Sequence, residues 1–111
     1  MNDELKKYLL DILNAIESID EYTGEKKLFL DYTKNKMLKR AVERELEIIG
    51  EALNNAMKQF PDLNIEHKKK IVQTRNFIIH AYDSINDEII WSIVINHLPK
   101  LKEEVKSILE K

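Results

Sequence analysis

Residues 75–83 read RNFIIHAYD, and four of them, Arg75, Asn76, His80 and Tyr82, are side chains that can handle phosphate. A histidine with a pKa near neutrality can take the proton from a ribose 2′-hydroxyl or return one to a leaving oxygen. An arginine can hold the non-bridging oxygens as charge grows on phosphorus. Asparagine and tyrosine can orient the phosphate or the attacking hydroxyl. Together the set suits cleavage of RNA without a metal ion. One copy brings one histidine, whereas acid and base roles usually need two groups; a symmetric dimer facing two copies of the segment would supply both.

Each of these residues also has a plainer reading. A lone histidine on a helix is structural more often than catalytic. Arg75 can pair with Glu47 or Glu51 as a routine surface ion pair. Tyr82 can be a buried ring with its hydroxyl satisfied. Placement discriminates between these readings. With Arg75 at 0° and about 100° per residue, Asn76 falls near 100°, His80 near 140° and Tyr82 near −20°. Phe77, Ile78 and Ala81 take the opposite side, at roughly 200–300°. The segment is expected to anchor itself through its apolar side and to present the four polar groups outward.

The rest of the chain must supply helices to hold that segment. In the first stretch Leu5, Leu9, Ile12, Ile16 and Ile19 alternate in steps of four and three, one apolar stripe of a helix. Asn2 is placed to cap it, and Gly24 to end it in a left-handed conformation. EKKLFLDYT follows as one or two turns resting on Leu28, Phe29 and Leu30. A long helix is expected over 36–59, with Leu38, Val42, Leu46, Ile49, Leu53, Ala56 and Phe60 as its stripe. Pro61 closes it, because the residue before a proline is pushed out of the helical region. Gly50 sits inside this helix at a cost of about 1 kcal/mol relative to alanine, which points to close approach of another backbone. Asn64 is placed to cap a helix carrying Ile65, Ile71, Val72 and the polar segment. After a turn at DSIND, capped by Ser84 or Asn86, a last helical region runs from Ile89 to Leu109, bent or broken before Pro99. The expected architecture is an all-α antiparallel bundle of four to five helices in a single domain, residues 1–111.

Composition excludes several function classes. The 111 residues contain no cysteine, so a disulfide scaffold, a thiolate metal site and a cysteine nucleophile are ruled out; the absence fits a reducing cytoplasm. The N-terminus MNDELKKYLL has no long apolar run, so neither a leader nor a membrane span is expected there. No glycine-rich phosphate loop is present. His67 and His97 lack ligands at a spacing that favours a metal, and Glu43, Glu47 and Glu51 read as a solvated or salt-bridged ladder. No metal and no cofactor are expected. The net charge of −2 creates no field that draws in a polyanion. Charge is uneven, however: KNKMLKR and HKKKIVQTR are free of acids, and Arg40, Lys68, Lys69 and Lys70 are the expected contacts for an RNA backbone.

The pattern of Arg75, four residues, His80, one residue, Tyr82 resembles the signature of the HEPN superfamily, above all its HepT-like branch. RELEIIGEALNNA (44–56) resembles that branch's arginine-bearing helix with Ile-Gly-Glu-Ala, and Trp91 in DEIIW is a third point of likeness. The resemblance covers the chain in order and length. It implies a helical toxin of a toxin–antitoxin pair, a metal-independent endoribonuclease that works as a homodimer. Carried onto this chain, it makes Arg75 and His80 catalytic and Asn76 assisting. Tyr82 becomes the position to which a partner antitoxin, a minimal nucleotidyltransferase, adds AMP from ATP.

Two other function classes compete with this one. One is a non-catalytic HEPN module that binds a nucleotide or a nucleotidyltransferase and uses Arg75 only to hold phosphate. The other is a structural helical dimer. His80 and the tyrosine two residues later favour the ribonuclease, since phosphate binding alone needs neither, and the outward clustering of four polar groups disfavours a purely structural role.

Overall fold

The computed structural model describes residues 2–80 and 86–111, apart from the side chains of Phe77 and His80. The described residues are all-α, without a strand. Helix α1 (Asp3–Thr23) starts on Asn2, whose side chain accepts from the Glu4 and Leu5 amides at 2.8 and 3.1 Å. Those are two of the donors that a helix start leaves unpaired. Gly24, at φ 74°, ends it. Helix α2 is Phe29–Lys34, and α3 (Lys36–Gln59) is capped by Asn35, which accepts from the Leu38 amide at 3.0 Å. Helix α4 is Lys68–His80, α5 is Asp87–Ser92, and α6 is Leu98–Leu109.

Helices α1 and α3 lie antiparallel. Gln59 at the end of α3 donates to Glu4 and Tyr8 near the start of α1, while Tyr22 near the end of α1 donates to Glu45. Their apolar stripes meet: Leu9, Ile12, Ile16 and Ile19 pack with Val42, Leu46, Ile49 and Leu53, all of them buried. Each such side chain contributes about 1.5–3 kcal/mol through removal from water. Helix α4 closes on α3 through Ile71 and Ile78, and α6 closes on α1 through Leu101 and Val105.

Three local expectations are corrected. In α2 the anchor is Tyr32, fully buried with its ring 5.0 Å from that of Trp91, whereas Leu28 and Leu30 are exposed. Six residues make fewer than two turns, so only one face of α2 reaches the core, and Tyr32 holds it. Helix α4 starts at Lys68 and not after Asn64. Residues 61–67 stay irregular because tertiary contacts hold them: Ile65 is buried, the Glu66 amide donates to Glu104 of α6 at 2.8 Å, and His67 takes φ 62°. Before Pro99 the helix widens instead of breaking. Residues Ile93–His97 form a π-helical turn, in which the Leu98 amide donates to the Ile93 carbonyl. The proline has no N–H to give and its ring crowds the carbonyl four residues back, so an extra residue in the turn relieves the conflict. Asn86 caps α5, accepting from the Glu88 amide at 2.7 Å; Ser84 lies outside the described residues.

Candidate active site

On α4, Ile71, Thr74 and Ile78 face inward, while Arg75 is half-buried and Asn76 exposed. For Ile78 and Asn76 this is the division of faces that the helical wheel expects, while Arg75, expected outward, is half-buried; the Phe77 side chain and Ala81 lie outside the described residues. His80 ends α4, but its side chain lies outside the described residues, as does Tyr82 altogether.

Arg75 is held on every side that is described. Its stem crosses α3 at Gly50, where a Cβ would overlap the Arg75 Cβ and come within 2.7 Å of its Cγ. The close approach expected at Gly50 is therefore made by an arginine stem of the same chain, not by a backbone. One terminal nitrogen donates to the Glu51 carboxylate and the other to Asn76 Oδ1 at 2.7 Å. The Nε is buried with no acceptor among the described residues.

The arginine faces a cleft of about 330 Å³ bounded by α1, α3 and α4. Three cations line it, and each has a carboxylate beside it: Arg75 with Glu51, Arg44 with Glu47 at 3.2 Å, and Lys7 with Asp11 at 3.1 Å. Tyr8, Ile48, Ala52, Asn55 and Ile79 complete the wall. The cleft is thus balanced in charge and rich in donors.

The chain belongs to the ribonuclease HepT-like family. The family model, described as "Ribonuclease HepT-like", matches residues 12–108. A protein of Methanocaldococcus jannaschii named as a gamma-glutamylcyclotransferase and candidate RNase is 38% identical over 111 residues, which are 99% of this chain but half of that relative. The chain therefore spans about half the length of that relative. A second protein of the same organism, named as a candidate RNase, is 38% identical over 95% of this chain and 96% of its own. A probable ribonuclease HepT of Thermococcus cleftensis is 38% identical over 93% of this chain and 94% of its own. No solved structure matches the chain at a significant level.

For a HepT-like chain the distribution of basic residues is informative. Lys68 turns its ammonium to the Leu63 carbonyl at 3.2 Å, and Lys69 and Lys70 are exposed outside the cleft lining. Arg40 is exposed one turn before Arg44 on α3. The cleft itself recruits Lys7 and Arg44, which sequence reasoning passes over as ordinary surface charge. Their only local signal is an acid four or three residues away; what brings them together is the α1–α3 packing. Of the glutamate ladder, Glu47 and Glu51 are salt-bridged, while the Glu43 carboxyl is pushed up by burial, partly offset by Arg40 and Lys39.

Away from the cleft, the rings of His67 and His97 lie 4.6 Å apart between centroids, tilted at 54°. Burial, then Lys70 and His67, hold the His97 imidazole below its usual range. Among the described residues no three His, Asp or Glu side chains gather as a metal site, and no helix is long and apolar enough to cross a membrane.

Proposed function

We propose that the protein is a metal-independent endoribonuclease, the toxin of a toxin–antitoxin pair acting in the cytoplasm, with residues 1–111 working as one domain. The observation that carries the reading is the placement of Arg75: a guanidinium fixed at the wall of a donor-rich cleft, on the helix that ends in His80. Membership of a ribonuclease family supports it.

In this reaction the ribose 2′-oxygen attacks phosphorus and the bond to the 5′-oxygen breaks, leaving a 2′,3′-cyclic phosphate. One histidine accepts the 2′-hydroxyl proton and another protonates the departing oxygen. A homodimer supplies the pair as His80 and His80 of the partner subunit. Arg75 offsets the charge that builds on the non-bridging oxygens, and Asn76 assists by holding the guanidinium. Lys7 and Arg44 take flanking phosphates, with Arg40, Lys68, Lys69 and Lys70 as a further basic surface. A minimal nucleotidyltransferase antitoxin silences the site by adding AMP at Tyr82.

The test is cleavage of total RNA and tRNA in excess EDTA by wild type, His80→Ala and Arg75→Ala, with intact mass confirming that the wild type carries no AMP. Cleavage that survives EDTA, ends in a cyclic phosphate and is lost in both variants is the expected result. An inactive, unmodified wild type moves the reading to a non-catalytic module that holds phosphate or a nucleotidyltransferase.

A further inference from the structure

Arginine side chains carry rotamer entropy that must be lost when they grip a ligand. Arg75 has lost much of it already. Its stem is pressed on Gly50, its Nε is buried, and its terminal nitrogens go to Glu51 and Asn76. Asn76 is its neighbour on the same helix and can only follow α4. Glu51 comes from α3, so among the described residues it is the polar partner that ties the guanidinium to the rest of the bundle, beside the contact of the stem with Gly50.

The manner of the contact matters. Glu51 engages Arg75 through one terminal nitrogen and one carboxylate oxygen, not through the two-pronged fork that a carboxylate makes when it fully occupies an arginine. A guanidinium has five N–H donors. Among the described residues Glu51 and Asn76 take one each and the Nε is buried, which leaves one N–H on each terminal nitrogen without a described acceptor. Those two are the donors the inference assigns to the oxygens of a phosphodiester.

We infer that Glu51 is a positioning residue for phosphodiester cleavage: it holds the Arg75 guanidinium in the orientation that grips the reacting phosphate, without touching RNA itself. The inference rests on the reading of Arg75 as the phosphate-gripping arginine. The opposite role for the same contact is a carboxylate that competes with phosphate for Arg75 and slows the enzyme. The single-oxygen contact and the free donors favour positioning. Glu51 is more than half exposed while Arg75 is 23% exposed, so thermal melting of each variant is what separates a loss of positioning from a loss of stability.

The experiment is steady-state cleavage of tRNA in EDTA by wild type, Glu51→Ala, Glu51→Gln and Arg75→Ala, with thermal melting of each. Glu51→Ala is expected to lower kcat by roughly tenfold to a hundredfold, the penalty of a reacting group displaced by about an ångström, with KM within about threefold of wild type. Its melting temperature stays that of wild type. Glu51→Gln, whose amide oxygen accepts the same hydrogen bond, recovers most of the rate. Glu51→Ala that is as fast as wild type, or faster, overturns the inference, as does a Gln variant as slow as the Ala variant. Arg75→Ala separates the two levels. If it is inactive while Glu51→Ala is unchanged, only the role of Glu51 fails. If it cleaves like wild type, or the wild type does not cleave, the reading of Arg75 fails and takes the inference with it.

Discussion

Gly50 and Arg75 are a matched pair across the α3–α4 interface: the missing side chain of one is the space filled by the stem of the other. Glycine inside a helix costs about 1 kcal/mol relative to alanine, so Gly50→Ala on an open helix face would be stabilising. Here the added Cβ meets the Arg75 Cβ, which is fixed to the backbone and cannot swing away. The expected outcome is a loss of about 1–3 kcal/mol from overpacking, read as a lower urea midpoint at unchanged m-value. Arg75→Ala keeps its own Cβ and should not restore the loss, whereas Arg75→Gly should. A Gly50→Ala protein more stable than wild type would show that the helices do not meet in this way.

The same pair shows what is legible in the sequence and what is not. Gly50 marks a close approach by its type alone, yet nothing local says what approaches. The answer depends on which α4 residue the tertiary packing sets opposite. The bounds of α1 and α3 are readable because their stripes are long and their ends carry Asn2, Gly24 and Pro61, each with its own backbone preference. The segment 61–67 reads as helical from Asn64 onward because Ile65 fits an apolar period, while the forces that hold it irregular come from Glu104 and the core. Pro99 announces a disturbance but not its kind, since a kink and a π turn both solve the missing N–H. At the site, Arg75 and Asn76 are readable from spacing on one helix. Lys7 and Arg44 sit 37 positions apart in sequence and share a cleft only because α1 and α3 are antiparallel.

That cleft yields a prediction about nucleic-acid affinity. Replacing Lys7 or Arg44 by Gln removes a cation from a groove the RNA backbone is proposed to follow. Removing one cation–phosphate pairing should lower the salt dependence of binding to single-stranded RNA by roughly 0.7 in log–log slope. Stability should change by no more than about 0.5 kcal/mol, because both pairs are exposed. Filter binding of an unstructured single-stranded RNA across a salt series measures the slope. Unchanged slopes for both variants would place the RNA path elsewhere, with Arg40, Lys68, Lys69 and Lys70 the next surface to alter.

Acid stability should carry the mark of His97. Its imidazole is held below the ordinary value of 6.5, first by burial and then by Lys70 and His67, and Glu66 approaches His67 at 3.6 Å. A depressed histidine pKa means that the unfolded chain takes up the proton first as pH falls. The stability that neutral His97 contributes is therefore complete above about pH 6.5 and is lost as pH drops through the lower folded value. Urea midpoints at pH 7.5 and 5.5 should differ more for wild type than for His97→Gln, which has no proton to gain. Equal differences would assign the acid sensitivity to other groups.

The last prediction concerns Tyr82, which the helical wheel sets close to the phase of Arg75. Addition of AMP forms a bond between the tyrosine oxygen and the α-phosphorus of ATP, with loss of the hydroxyl proton and departure of pyrophosphate. The product carries a phosphodiester with a full negative charge, and a nucleoside, on the segment proposed to receive RNA. A charge of that sign mimics the substrate's own phosphate, so inhibition should appear mainly as weakened RNA binding. Tyr82→Phe keeps the ring and removes only the acceptor oxygen. It should cleave RNA within about threefold of wild type, since Arg75 and His80 are proposed to carry the reaction, yet remain active after incubation with a partner nucleotidyltransferase and ATP that silences the wild type. If Tyr82→Phe is silenced equally, the adduct forms elsewhere. If it is inactive before any modification, the hydroxyl itself takes part in cleavage and Tyr82 joins Arg75 and His80 in the catalytic set.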